Sequence, residues 1–124
     1  MHAVGIDIIE IDRISQTLLR FGHRFLRRIY TEAEIAYCRG RAPQLASRFA
    51  AKEAMMKALG TGIRGVGWRD IEVVRARGGA PSIRLHGRAA QVAERQGVLH
   101  SALSLSHSRE YAVASVVIEK RDAP

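Results

Sequence analysis

The chain begins with a strand pattern, continues through three helical patterns, and returns to strand patterns only in its second half. The first strand is predicted from Ala3 to Ile9 because its side chains alternate between two faces. One face carries Val4, Ile6 and Ile8, and the other carries Ala3, Gly5, Asp7 and Ile9. The full order is β-α-α-α-β-β-α-β-β, which lacks regular βαβ alternation. It favours an α+β fold with an antiparallel sheet packed against helices.

Local signals mark the predicted helices. Asp12 is expected to cap the first helix. Thr31 and Glu34 form a capping box at the start of the second helix. The longest helix is expected from about Gln44 to Leu59, with Gly60 in the C′ position that ends it.

The second half of the chain contains two predicted hairpins. Short β-like runs at 70–74 and 82–86 are joined by a loop rich in glycine. A short helix is expected from Gly87 to Gly97. Strands at 99–107 and 111–119 then follow, with a tight turn between them. We therefore expect a single domain over residues 1–119 and a tail over residues 120–124.

Composition limits the location and partners of the chain. No apolar run is long enough to cross a bilayer, and the N-terminus lacks the features of a signal peptide, so we expect a cytoplasmic protein without a membrane partner. The net charge of +8 comes mostly from arginine and indicates an acidic partner: a nucleic acid, a polyphosphate ligand or an acidic protein. Cys38, the only cysteine, is expected to be a half-buried apolar residue.

A G-x-G-x-x-G spacing occurs at Gly60, Gly62 and Gly65. A dinucleotide-binding fold would place these glycines between a strand and a helix, whereas here they follow a helix and lead into a strand-like segment. No P-loop motif is present. The glycines are interpreted either as a helix stop or as exposed backbone that a phosphate or pantetheine chain could approach closely.

Two carboxylates are candidate metal ligands. Asp7 lies inside an otherwise apolar strand, where it is either neutralised by an arginine, partly exposed, or bound to a metal. Glu53 and Lys57 form either a surface i,i+4 pair or part of a ligand-binding helix face, since neighbouring alanines would allow close packing or a ligand. Asp7 and Glu53 together provide the hard oxygen donors that Mg²⁺ prefers. His107, at the end of a strand, is interpreted as a structural hydrogen-bonding group or a catalytic one.

Three segments resemble one family. They are GIDIIEIDRI at Gly5–Ile14, RFAAKEAMMKALGTG at Arg48–Gly62 and LSLSHSREYAVASVV at Leu103–Val117. They are similar to the small bacterial holo-(acyl carrier protein) synthases, which are 4′-phosphopantetheinyl transferases. The resemblance implies transfer of the 4′-phosphopantetheine arm of coenzyme A to a serine of apo acyl carrier protein, in fatty acid biosynthesis, with release of adenosine 3′,5′-bisphosphate.

The resemblance also implies roles for individual residues. Asp7 and Glu53 match the Mg²⁺ ligands, Lys57 matches the lysine near the pyrophosphate, and His107 matches a histidine at the coenzyme site. Segments lining the coenzyme pocket are matched by Arg48, Gly60, Thr61 and Gly62. The base that accepts the serine proton stays open between Glu53, Asp7 acting through water, and His107. The family's small members are homotrimers with active sites between protomers.

An arginine cluster is the expected docking surface for the acidic carrier protein. Its members, in a segment without acidic residues, are Arg13, Arg20, Arg24, Arg27 and Arg28. A solvated basic face is the alternative for several of them. A nucleic-acid-binding domain is a competing hypothesis, but the segment matches no nucleic-acid module, so no nucleic acid partner is expected. A metal-dependent phosphohydrolase acting on coenzyme A would use the same residues.

Overall fold

The computed structural model describes residues 1–122. The strands are β1 (His2–Glu10), β2 (Ile71–Arg75), β3 (Pro81–Leu85), β4 (Val98–His107) and β5 (Tyr111–Lys120). The helices are α1 (Ile11–Phe21), α2 (His23–Ile29), α3 (Glu32–Cys38), α4 (Ala42–Leu59), α5 (Gly62–Gly65) and α6 (Gly87–Arg95), with a 3₁₀ turn at Trp68–Asp70. The predicted α+β class is confirmed. Within the described residues, no helix is both long and apolar enough to span a membrane.

The strands form two antiparallel sheets, where one had been predicted. A three-stranded sheet has the order β1-β5-β4, and β2 pairs with β3 in a separate hairpin. The first strand therefore pairs with the last, and Asp7 lies opposite Ala114. β5 continues through Lys120, one residue past the predicted domain boundary, and residues 123–124 of the predicted tail lie outside the described residues.

Helix α4 packs directly against β1. Its alanines Ala50, Ala54 and Ala58 are buried, and a β-carbon on Gly5 of β1 would lie 1.8 Å from the carbonyl oxygen of Ala54. Small side chains on both elements allow this approach. The alanine face therefore packs closely and does not admit a ligand, which settles one alternative that the sequence left open.

The first two helices differ from the prediction. The N-cap of α1 is Glu10, without a side-chain hydrogen bond, and Asp12 lies in the first turn and accepts a hydrogen bond from Gln16. Gly22, with a φ of 56°, then ends α1, and α2 begins directly after it. The separate helix α2 was not predicted. The capping box of Thr31 at the start of α3 is confirmed.

A buried ion pair joins α4 to α3. The Lys52 ammonium lies 2.7 Å from the Glu34 carboxylate, and neither side chain is exposed. Lys52 also donates to the backbone oxygens of Trp68 and Ile71, while Glu34 accepts from the backbone N–H of Val73. Burial lowers the pKa of Lys52 against the opposing effect of Glu34. All three ammonium donors are used, which is the condition for a tolerable buried charge.

Cys38 lies at the end of α3 and is fully buried, where the sequence had suggested half burial. Burial raises the pKa of its thiol to about 11. A thiol of this kind stays protonated at neutral pH and is a poor nucleophile. Cys38 is therefore a core residue.

Candidate active site

Asp7 and Glu53 line the same cavity. Asp7 projects from β1 toward α4, which carries Glu53, and the cavity has a volume of about 220 Å³. Burial raises the pKa of Glu53, and the charge of the neighbouring Asp7 carboxylate and a hydrogen bond with it raise it further. The predicted convergence of a strand carboxylate and a helix carboxylate is thus present in the structure.

Lys57 pairs with Asp7 across the two elements. Its ammonium lies 3.1 Å from the Asp7 carboxylate and 2.9 Å from the backbone oxygen of Ile6. The Asp7 side chain is only 11% exposed, while that of Lys57 is 55% exposed. A lysine, and not an arginine, therefore neutralises Asp7. Lys57 of α4 therefore pairs with Asp7 of β1, and not with Glu53 of its own helix.

Asp7 and Glu53 provide carboxylate oxygens in one cavity, which suits a divalent cation, although Lys57 and Arg13 also act on them. Within residues 1–122, no group of three or more His, Cys, Asp or Glu side chains could hold a metal ion. The two carboxylates that share the cavity are those of Asp7 and Glu53. Mg²⁺ is commonly held by one or two protein carboxylates and keeps water or phosphate oxygens in its remaining positions. The donor set fits Mg²⁺.

The glycines after α4 present open backbone. Gly60 ends the helix in the left-handed conformation, with a φ of 72°, and Gly62 has a φ of 62°. A β-carbon added at either glycine would meet nothing within 4 Å. Between them, the Thr61 hydroxyl donates to the backbone oxygen of Gly62. The predicted helix stop is confirmed, and its backbone is accessible to a ligand.

Arg48 does not share the carboxylate cavity. It is buried on α4, with its guanidinium 4.4 Å from the centre of the Tyr37 ring. It lines a separate cavity of about 290 Å³ that also contains Arg75 and Arg84. Arg48 and the two carboxylates thus line different cavities of one chain.

His107 lies at the exposed end of β4. Its partner in β5 is Ala112, two residues from Ala114, which pairs with Asp7. Paired residues of antiparallel strands share a face, so His107 and Asp7 are on the same face of the sheet. The ring nitrogen Nδ1 lies 3.4 Å from the backbone oxygen of Ser108.

The predicted docking arginines lie on α1 and α2. All five are exposed. Arg13 lines the cavity of Asp7 and Glu53, whereas Arg27 lines a different cavity. The guanidinium of Arg20 lies over the ring of Phe21.

Two aromatic residues of the carboxylate cavity were missed by the sequence analysis. Phe25 and Phe49 both line it, and Phe49 also stacks on Trp68 with ring centres 4.8 Å apart. Phe49 precedes Glu53 by one helical turn, so the spacing could have placed it beside the site.

Residues 3–116 match the sequence profile described as the 4′-phosphopantetheinyl transferase superfamily. The chain belongs to this superfamily. It is 57% identical over 119 residues to a holo-(acyl-carrier-protein) synthase of Koribacter versatilis, covering 93% of this chain and 95% of the relative. A second holo-(acyl-carrier-protein) synthase, from Gloeobacter violaceus, is 54% identical over 122 residues and covers 95% of this chain and 92% of the relative.

Solved structures of the same superfamily share the fold. The Helicobacter pylori holo-(acyl-carrier-protein) synthase in complex with coenzyme A has a TM-score of 0.86 at 33% identity, covering 94% of this chain and 99% of that one. The enzyme from Neisseria meningitidis has a TM-score of 0.87 at 37% identity, covering 95% and 98%.

Proposed function

We propose that the chain transfers the 4′-phosphopantetheine group of coenzyme A to a serine of an apo acyl carrier protein. The products are the holo carrier protein and adenosine 3′,5′-bisphosphate. The proposal is carried by the shared cavity of Asp7 and Glu53 in a chain of this superfamily. The serine hydroxyl forms a bond to the β-phosphorus of coenzyme A, and the bond between that phosphorus and the bridging oxygen breaks.

Asp7 and Glu53 would hold Mg²⁺, and Lys57 would add a positive charge at the phosphate oxygens of the coenzyme. When bound, the ion supplies positive charge that stabilises the phosphate oxygens in the transition state. The Lys57 side chain is long and half exposed, so it can turn from Asp7 to a phosphate oxygen of the coenzyme. The serine proton needs an acceptor, for which Glu53, Asp7 acting through water, and His107 are the candidates of this chain.

We place the coenzyme between two copies of the chain in a homotrimer. The position of Arg48 supports this, because Arg48 lines a cavity separate from that of the carboxylates. The outer face of the three-stranded sheet offers the contact surface, since its large apolar side chains are exposed. They include Val4, Ile6, Ile8 and Val117, each between 38% and 62% exposed. A face of this kind is typical of a protein interface.

The acidic carrier protein would dock at the exposed arginines of α1 and α2. Arg13 is the arginine that lines the carboxylate cavity, so it would lie nearest the acceptor serine. We place the reaction in the cytoplasm, as a step that supplies holo carrier protein for fatty acid biosynthesis. Neither a nucleic acid nor a membrane takes part in this proposal.

A mass measurement tests the function. The protein is mixed with coenzyme A, Mg²⁺ and an apo acyl carrier protein, and the carrier is weighed. We expect the carrier to gain one phosphopantetheine, and we expect Asp7→Asn and Glu53→Gln to abolish the gain. Glu94→Gln, at an exposed position of α6, is the matched control. An unchanged carrier mass, accompanied by release of adenosine 3′,5′-bisphosphate, would support the phosphohydrolase instead.

A further inference from the structure

A basic pocket lies between α2, α3 and the 3₁₀ turn. It has a volume of about 330 Å³ and is separate from the cavity of Asp7 and Glu53. Its lining residues are His23, Arg27, Glu32, Ile35, Ala36 and Arg69. The pocket thus combines two guanidinium groups and an imidazole with one carboxylate and a small apolar wall.

Glu32 provides one carboxylate in this pocket, so the guanidinium groups of Arg27 and Arg69 leave an excess of positive charge among its lining residues. Among the ion pairs of residues 1–122, none involves Arg27 or Arg69, whereas Lys52 and Lys57 are each paired with a carboxylate. Both arginines are exposed. Free guanidinium groups at a concave surface favour a carboxylate or phosphate, which they can bind bidentately.

The arginines of this pocket are far apart along the chain, and the fold brings them together. Arg69 is remote from the arginine segment of α1 and α2, and the 3₁₀ turn brings it to the pocket beside Arg27. Helix α2 also separates the pocket from the carboxylate cavity, because Phe25 lines the cavity while His23 and Arg27 line the pocket. A partner that covers α2 can therefore contact both the pocket and the carboxylate cavity.

We propose that this pocket is a second contact for the acidic carrier protein and receives a carboxylate side chain of the carrier remote from the acceptor serine. The inference rests on the proposed function, which supplies an acidic protein at α2. Ile35 and Ala36 offer an apolar wall for the methylene groups of an aspartate or glutamate. The contact adds affinity and orientation without touching the reacting atoms.

Steady-state kinetics test this contact with the full-length protein, an apo acyl carrier protein, coenzyme A and Mg²⁺. The double variant Arg27→Glu/Arg69→Glu is compared with Arg95→Glu, an exposed arginine on α6. We expect the double variant to raise KM for the carrier by about 5- to 20-fold and to retain the wild-type KM for coenzyme A. This difference should shrink as salt is raised. Thermal melts check that both variants are folded.

Carrier variants locate the contact. One carrier glutamate or aspartate changed to lysine should recover most of the lost affinity for the double variant of the enzyme. An unchanged KM for the carrier in the double variant overturns the inference, and so does binding of inorganic phosphate at the pocket without any effect on the carrier. If the wild-type protein leaves the carrier unmodified, the proposed function itself has failed, which is a separate outcome.

Discussion

Gly5 of β1 lies so close to Ala54 of α4 that a β-carbon on Gly5 would stand 1.8 Å from the Ala54 carbonyl oxygen. Asp7 follows Gly5 by two residues on the same face, and Glu53 precedes Ala54 directly. The contact between a residue without a side chain and a helix backbone therefore sets the distance between the two candidate metal ligands.

Replacement of Gly5 by alanine should force β1 and α4 apart. Overpacking of this kind costs about 1–3 kcal/mol of unfolding free energy. A shift of the carboxylates by about 1 Å should lower the transfer rate by about 100-fold. Denaturation and carrier-modification assays measure the two effects. Gly67→Ala is the control, since its β-carbon would meet only the Asp70 side chain at 3.4 Å. Wild-type activity in Gly5→Ala would contradict the argument.

Substitution of the two lysines of α4 should have different main effects, a loss of stability for Lys52 and a loss of activity for Lys57. Lys52→Met leaves the Glu34 carboxylate buried without its partner and should cost about 3–5 kcal/mol in a urea titration. Lys57→Met removes a half-exposed cation but leaves the mostly buried Asp7 carboxylate without its partner, so it should cost less, about 1–3 kcal/mol, yet lower the transfer rate by about 100-fold or more. Equal losses of stability in the two variants would contradict a mainly structural role for Lys52 and a mainly functional role for Lys57.

Glu53→Gln should stabilise the metal-free protein. The folded pKa of Glu53 is raised, so its ionisation at neutral pH costs the folded state free energy, and stability falls as the pH rises through that pKa. Thermal melts at pH 7 in EDTA should therefore give a higher Tm for the variant.

Millimolar Mg²⁺ should then raise the Tm of the wild type and not that of Glu53→Gln, because only the wild type offers both carboxylates. Glu94→Gln should respond like the wild type. An equal Mg²⁺ shift in wild type and Glu53→Gln would rule out Glu53 as a ligand.

Acid should weaken the hydrogen bonds that join Glu72 of β2 to Thr31 and His86. Burial raises the pKa of Glu72, but hydrogen bonds from Thr31 and His86, with the charges of His86 and Arg84, lower it on balance. Its stabilising contribution is thus complete above the ordinary value of 4.5 and is lost as the pH falls through the lower folded pKa.

Glu72→Gln should therefore be less stable than the wild type at pH 6, and the difference should diminish below pH 4. Urea titrations across this range measure it. Glu119→Gln, at an exposed site in β5, should show no such convergence.

Ile6→Asp should convert the proposed homotrimer into monomers. Ile6 is 60% exposed on the outer sheet face, and a charge there opposes burial against another copy. Light scattering after gel filtration measures the mass. Leu19→Asp on α1, where Leu19 is 85% exposed, should leave the assembly intact. A monomeric wild type would refute the trimer directly.

Local signals in the sequence predicted much of the fold and part of the site. The Thr31 capping box, the left-handed Gly60 and the two hairpins depend on neighbouring residues, so they could be located without tertiary information. Asp7 stood out because a carboxylate in an apolar strand is unusual, whereas Glu53 alone would be interpreted as part of a surface pair, and the family resemblance is what implied a metal-ligand role for both.

Features that depend on packing were not predictable. Lys52 precedes Glu53 and differs from it only in its position around α4, yet it is fully buried with Glu34. The alternation in β1 defined two faces but not which one is covered, and the bulkier face of Ile6 turned out to be exposed. Arg48 matched the coenzyme segment, but its cavity depends on Arg75 and Arg84 from distant strands.

The pairing of β1 with β5 also bears on biosynthesis. The strand that carries Asp7 is hydrogen-bonded along its length to Tyr111–Lys120, which follows it in the chain only after all the helices and the other strands. Helix α4 can form early from local interactions, but β1 has no sheet partner until β5 emerges. A nascent chain without β5 therefore lacks the strand that holds Asp7 in the sheet, and the candidate site can form only after β5 has been made.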